Sequence, residues 1–406
     1  MNDVSELFQP VKLGKLELRN AIIRSATHEG MADGNGKPND ELTKTYVRYA
    51  EGEVGLIITG YIGISQEGKC PLYNMTMLDT DDNIPAFRKL TDAVHEAGGT
   101  IFAQIAHCGR QTRKKITGKR TSAPSPIPDF LYCESIPHRL SEEEMYEIID
   151  DFAGAALRAK KAGFDGVQIH CAHGYLLSEF LSPRTNRRKD QWGGCTENRF
   201  RIVDEIIKKI RTLTYGDFPI AVKMNCYEKY TDGIKLDEAI KIAKLFDKAK
   251  VDLIEVSCGF VSEGFNMSRG EFPYPIMCTD NFRYEILPKF TWPILKPVMK
   301  AIMGSPKPVK MYNAEAAEAI RKEVSTPIAV VGGIRTLDDI STIINAGKAD
   351  FVSMSRPFIT EPDLVKKFKE GKSREAKCIN CNYCLMGAER RPMRCYYGRL
   401  PREYGD

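Results

Sequence analysis

Short apolar runs alternate along this chain with longer stretches whose apolar positions recur every three or four residues. The short runs are Ala21–Ile23, Val54–Thr59, Thr100–Gln104, Gly166–His170, Ile220–Met224, Leu253–Val256, Ile328–Val331 and Phe351–Met354. Each has the length and β-rich composition of a buried strand. The helical pattern is clearest over Ser141–Ala162, where Ser141-Glu142-Glu143-Glu144 has the form of a capping box. Others run over Ile84–Ala97, Glu197–Arg211, Lys235–Lys248 and Asp338–Ala346, and Gly98, Gly163 and Gly347 stand where a left-handed C-cap is wanted. Apolar strands that alternate with helices imply a parallel sheet covered on both faces.

Eight such units favour closure into a barrel. No Gly-x-Gly-x-x-Gly follows any of the strands, which counts against an open dinucleotide-binding sheet. The stretch Gly259–Lys310 is too long for an ordinary strand-to-helix loop and predicts an excursion over the barrel mouth. After Glu370 the alternation stops. The expected fold is α/β: a single (β/α)8 TIM barrel over residues 1–370, a long excursion after strand six, and a Cys-rich extension over 371–406 packed on the barrel.

Composition narrows the function. With 406 residues, 42% hydrophobic and 28% charged, the chain has ample material for one large core. Its 59 Lys and Arg against 54 Asp and Glu leave +5, spread without blocks, which calls for neither nucleic acid nor an anionic membrane as partner. The longest apolar runs, such as Pro327–Val331, are far shorter than a membrane span, and the start Met-Asn-Asp-Val-Ser-Glu has no signal-peptide pattern. A cytoplasmic location is expected. Of the 12 cysteines, eight lie singly between Cys70 and Cys278, as small core residues or spare thiols do. Cys378, Cys381, Cys384 and Cys395 fall close together, and in a reducing compartment such a group points to metal or redox chemistry rather than disulfides.

Barrel chemistry gathers where strands end. Reading those positions gives Ser25-Ala26-Thr27, Gly60, Gln104, His170, Lys223, Gly332-Gly333 and Ser355-Arg356 in strand order. Gly332-Gly333 alone would read as a tight turn; with Ser355-Arg356 it offers backbone N–H groups and a cation for a phosphate. Strand four carries His170, His173 and Tyr175 within six residues. One histidine there would read as a core residue, and the pair could ligate a metal, but no third ligand stands nearby. Hydrogen bonding to a substrate oxygen and proton transfer suit the three better.

These residues carry a resemblance. Leu7-Phe8-Gln9-Pro10, Val54-Gly55-Leu56-Ile57-Ile58, Gln104-Ile105-Ala106-His107-Cys108-Gly109-Arg110 and the block from Ala162 through His170, His173-Gly174-Tyr175 and Ser182-Pro183 to Glu197-Asn198-Arg199 resemble the old yellow enzyme family of flavin-dependent ene-reductases. The likeness runs over nearly the whole chain. It implies a bound FMN, with Ser25, Ala26 and Thr27 along the flavin, Gly60 leaving room for its ring, Gln104 on its pyrimidine edge and Lys223 beside N1 and O2. Gly332, Gly333, Ser355 and Arg356 would hold the phosphate. His170 and His173 would grip the substrate oxygen, and Tyr175 would donate the proton. The implied reaction is reduction of an activated C=C bond by NAD(P)H through FMN, on a small-molecule substrate. An oxidative dehydrogenase or demethylase of amine type is the alternative within the family, and a barrel that binds a metal or a partner without catalysis is the alternative outside it. The spacing Cys378-x2-Cys381-x2-Cys384-x10-Cys395 resembles the 4Fe-4S motif of the larger relatives, the 2,4-dienoyl-CoA reductases and trimethylamine dehydrogenases, with a slightly short last gap. Four thiolates would also suit a structural zinc, and a tail without metal is the remaining alternative. A cluster here would take electrons from a separate donor; without one, NAD(P)H would reduce FMN directly. Homo-oligomerisation stays open at this point.

Overall fold

The computed structural model describes residues 4–398 apart from 73, 130, 133–134, 272, 274–275, 278–288 and 304–307. Eight strands form the barrel: β1 Ile22–Arg24, β2 Leu56–Ile58, β3 Ile101–Ala106, β4 Gly166–Cys171, β5 Ile220–Asn225, β6 Leu253–Ser257, β7 Ile328–Val331 and β8 Phe351–Met354. Each pairs in parallel with its successor, and β8 closes on β1 with Ser353 opposite Ile23. A helix follows every strand: α1 Asp40–Glu51, α2 Ile84–Glu96, α3 Glu142–Lys161, α4 Thr196–Thr214, α5 Leu236–Lys248, α6 Ala314–Arg321, α7 Leu337–Asn345 and α8 Leu364–Lys369. This is the (β/α)8 barrel that the alternation predicts. The capping box at Ser141 forms as expected, with its hydroxyl accepting from Glu144 N–H.

Side chains alternate along each strand between the helices and the barrel interior. Outward residues such as Val167, Ile169, Val222, Ile254 and Val352 pack under the helices. Inward, Ile23, Leu56, Ile58, Phe102, Leu253 and Phe351 fill the lower barrel, and a hairpin of Val11–Leu13 and Leu16–Leu18 adds Leu13 and Leu18 as a plug. Gly166 has to be glycine here, because a Cβ would lie 2.6 Å from the Phe102 ring. Two residues further along the strands the same inward row turns polar: Ser25, Gln104, Gln168, Lys223, Glu255 and Ser353 are all buried. The period of two thus sets an apolar plug beneath a polar floor.

Helices α1, α6 and α8 are not among the helical stretches picked out by the hydrophobic pattern. The buried face of α1 is largely aromatic, Tyr46 and Tyr49 beside Leu42, and Asn39 caps it by accepting from Leu42 N–H. Parts of the excursion and residues 399–406 of the tail lie outside the described residues, as do Cys133 and Cys278. Within the excursion a helix spans Trp292–Met303. The tail is tied to the barrel through main-chain bonds from Ala376 N–H to Arg335 O (2.9 Å), Leu337 N–H to Arg374 O (2.8 Å) and Met393 N–H to Glu29 O (2.6 Å). Among the described residues no helix is long and apolar enough to cross a membrane.

Candidate functional site

A cavity of about 270 Å³ opens above the polar floor, at the ends of the strands. Its floor is a hydrogen-bonded chain. Gln104 Nε2 donates to Gln168 Oε1 (2.7 Å), and Gln168 Nε2 donates to Glu255 Oε2 (2.7 Å). Ser25 Oγ donates to Glu255 Oε1 (2.6 Å) and accepts from Lys223 Nζ (2.9 Å), while Lys223 pairs with Glu255 at 3.3 Å. Strand register dictates this grouping, since Lys223 stands opposite His170 on one side and Glu255 on the other. Burial lowers the Lys223 pKa, and Glu255 works against that shift.

The end of β4 supplies the reactive groups. His170 and His173 meet edge to face at 5.1 Å, and His170 meets Tyr175 at 4.9 Å. His173 adopts a left-handed backbone with φ of 65°, a conformation rarely taken without glycine. Three bonds hold it there: its N–H to Asn225 Oδ1, its carbonyl from Gln111 Nε2, and its Nε2 with Ser257 Oγ at 2.8 Å. Burial lowers the pKa of both rings, with Lys223 adding to the effect, and His173 falls to about 3. Both are therefore neutral imidazoles at ordinary pH. His170 Nδ1 accepts from Ala172 N–H, so its proton sits on Nε2, the remaining donor. Burial and neighbouring thiols push the Tyr175 phenol well above its usual range, so it keeps its proton.

The other expected residues fall into two groups. Ser25, Ala26, Thr27, Gln104 and Lys223 line the cavity, and so do Gly332, Gly333, Ser355 and Arg356. Thr27 Oγ1 lies 2.6 Å from Ser355 Oγ. The two glycines are required by a close crossing, because a Cβ would lie 2.6 Å from the Tyr312 ring at Gly332 and 2.0 Å from Val309 O at Gly333. Arg356 donates to Asn382 Oδ1 and Ser268 O, and each of its terminal nitrogens retains a second N–H. Gly60 sits behind this wall: a Cβ there would lie 2.1 Å from Glu29 Oε2, and its N–H donates to Glu29 and Tyr46. A buried carboxylate, paired with Arg24 at 2.6 Å, is by itself a reason for glycine here.

Sequence reading overlooked Gln168 and Glu255 in the floor, and Tyr61 and His28 on the wall, whose rings stack at 5.2 Å. It also overlooked Ser353, whose buried Oγ has no hydrogen-bond partner and faces the cavity. Such an atom is a place for a polar ligand group. Together with a cation and an amide in the floor and an arginine with two hydroxyls at the β8 end, this donor set fits a flavin.

The four tail cysteines do not converge in the same way. Cys381 and Cys384 are buried, Cys378 is half-buried and directed at Asn380, and Cys395 is exposed. Burial raises the Cys384 thiol to about 12 against the pull of Arg356. The thiols share a neighbourhood, yet among the described residues no three His, Cys, Asp or Glu side chains form a set that could hold a metal ion. The other three thiols add to the rise at Cys384, so the four lie near one another, but as placed they do not form the expected metal centre. What the tail does supply is a wall of the cavity, through Asn380, Leu385, Met386 and Met393.

Residues 6–273 and 295–375 match the model of the NADH:flavin oxidoreductase / NADH oxidase family. The chain belongs to that family. It is 36% identical to an NADH oxidase of Thermoanaerobacter brockii over 390 residues, covering 95% of this chain and 54% of the relative. The chain thus spans about half the length of its longer curated relatives. Among solved structures, the old yellow enzyme homologue from Zymomonas mobilis superposes with a TM-score of 0.73 at 26% identity, covering 95% of this chain and 97% of that one. A 2-naphthoyl-CoA reductase in complex with 2-naphthoyl-CoA shares the fold, with a TM-score of 0.81 at 24% identity over 98% of this chain and 57% of that one. Membership of this flavin oxidoreductase family supports a flavin and a nicotinamide as the redox pair.

Proposed function

We propose that this chain is an FMN-dependent NAD(P)H oxidoreductase that reduces C=C bonds activated by an adjacent carbonyl or related oxygen-bearing group. A bound flavin would supply hydride transfer between NAD(P)H and the substrate. Ser25, Thr27, Gln104 and Lys223 would hold its ring, and Gly332, Gly333, Ser355 and Arg356 its phosphate. Lys223 would supply positive charge to the ring's electron-rich edge. Neutral His170 would donate from Nε2 to the substrate oxygen, with His173 as second contact, so that negative charge growing on that oxygen is met by fixed donors. Tyr175, holding its proton, would deliver it to the carbon next to the carbonyl. The observation that carries this reading is the convergence of two neutral imidazoles and one protonated phenol within 5.1 Å ring-to-ring steps on the cavity wall. No step is assigned to the tail cysteines.

The test is an anaerobic absorption spectrum of the purified protein. FMN bands that bleach with NADH or NADPH and return on adding 2-cyclohexenone are expected. A protein that takes up no FMN, or a reduced flavin that the enone leaves reduced, would overturn the reading.

A further inference from the structure

The floor of the cavity carries a directional code that runs back to one carboxylate. Glu255 is fully buried, and both its oxygens accept: Oε1 from Ser25, Oε2 from Gln168 and Lys223. An ionised carboxylate offers no donor. The end of the Gln168 amide that touches it must therefore be the NH2 group. That leaves Gln168 Oε1 at the other end, 2.7 Å from Gln104, so the atom of Gln104 facing it must in turn be Nε2. Gln104 then turns its carbonyl oxygen toward the cavity it lines. Without Glu255 the two amides could flip together and make the same Gln–Gln bond in reverse, since the oxygen and nitrogen ends of a glutamine have nearly the same shape.

We infer that Glu255 and Gln168 are positioning residues that lock Gln104 as a hydrogen-bond acceptor, and so select a ligand with an N–H beside a carbonyl at this edge. Lys223 supplies the matching donor, because its ammonium has three N–H groups and two are used by Ser25 and Glu255. Acceptor and donor line the same cavity from β3 and β5, two strands apart, and together would read an imide edge. The inference rests on the flavin reading above, in which that edge is the flavin pyrimidine, and it adds what sets the orientation of the reader. A buried amide is an efficient selector because the wrong group leaves an unpaired polar atom with no water to replace it.

The experiment titrates FMN and N3-methyl-FMN, which lacks the N–H, onto the flavin-depleted full chain and onto two variants. Gln168→Met cuts the relay while keeping the Lys223–Glu255 pair; Glu255→Gln keeps the shape while removing the one-way acceptor. The readout is the ratio of the two dissociation constants, which a merely structural role would not move, since loss of structure weakens both ligands alike. The wild type is expected to prefer FMN by about tenfold or more, and both variants to fall below about threefold. A ratio in the variants equal to that of the wild type overturns the positioning role and leaves the flavin reading standing. Equal affinity of the wild type for both ligands overturns the acceptor assignment. Failure of the wild type to bind FMN at all overturns the flavin reading together with the inference.

Discussion

The segment His170–Tyr175 and the segment Cys378–Cys395 are both dense in reactive side chains, but the fold treats them differently. The first follows a strand whose neighbours on one side supply Asn225 and Ser257 to hold His173, and whose own turn fixes the proton of His170. The second crosses the mouth of the barrel as a loop with one short helix, Tyr383–Gly387, and its thiols end in surroundings that range from buried to exposed. Closeness in sequence is common to both. Convergence in space comes from parallel strands in register, which set side chains from several parts of the chain at one height.

Substitutions at the phenol test the barrel half most sharply. Tyr175→Phe should slow reduction of an enone by about 10²- to 10⁴-fold, the usual worth of a positioned proton donor, in stopped-flow traces of reduced flavin being reoxidised. Reduction of the flavin by NAD(P)H should change far less. A loss under about threefold in the first reaction would mean that the proton arrives from another group.

Acid stability should also belong to the barrel. His107 and His173 are buried neutral, with pKa values of about 4 and about 3 against an ordinary 6.5. Below pH 6.5 the unfolded chain binds protons that the native state refuses, so the stability these residues contribute is present above that point and lost as pH falls toward 4. The slope is at most about 1.4 kcal/mol per pH unit for each group. Glu179, raised to about 8 by burial, acts in the opposite direction, losing its contribution as pH rises. Glu228 and Asp151, raised to about 7 and about 6, act as Glu179 does, so the test is a difference in denaturant titrations: between pH 7 and 4.5 His107→Gln should lose less stability than the wild type as pH falls. An unchanged slope in that variant would remove His107 from the account.

In the tail the expected effects are smaller and unequal. Asn382→Ala breaks the bonds to Arg356 (2.7 Å) and to Glu271 O (3.0 Å) and should cost about 1–2 kcal/mol, seen as faster proteolysis after Glu370 under native conditions. Cys395→Ser, at an exposed position, should stay within about 0.5 kcal/mol of the wild type in thermal unfolding. The reverse order would show that this thiol has a structural role.

Much of this was readable from the chain. Strands buried on two faces write themselves as apolar runs, and the last residues of those runs point to the mouth. His170, His173, Tyr175, Gln104, Lys223 and Arg356 were found that way. Glu255 was not, although Leu253-Ile254-Glu255-Val256-Ser257 carries the signal: counting by two from Leu253 leads inward to Glu255 and Ser257. One acid in an apolar strand looks like a sequence exception until neighbouring strands show Lys223 and Gln168 at the same height. At Gly60 the structure adds a second requirement, from Glu29, which is distant in sequence and invisible to local pattern. The cysteine spacing was plain, but spacing fixes how far apart residues are along the chain and not where the thiols point.

The roof and the floor of the cavity are written in different stretches of the sequence. The tail contributes Leu385, Met386 and Met393, while the polar floor is borne by the strands. An engineer could redraw the room available to a substrate by exchanging roof side chains alone, leaving the hydrogen-bonded floor as it stands.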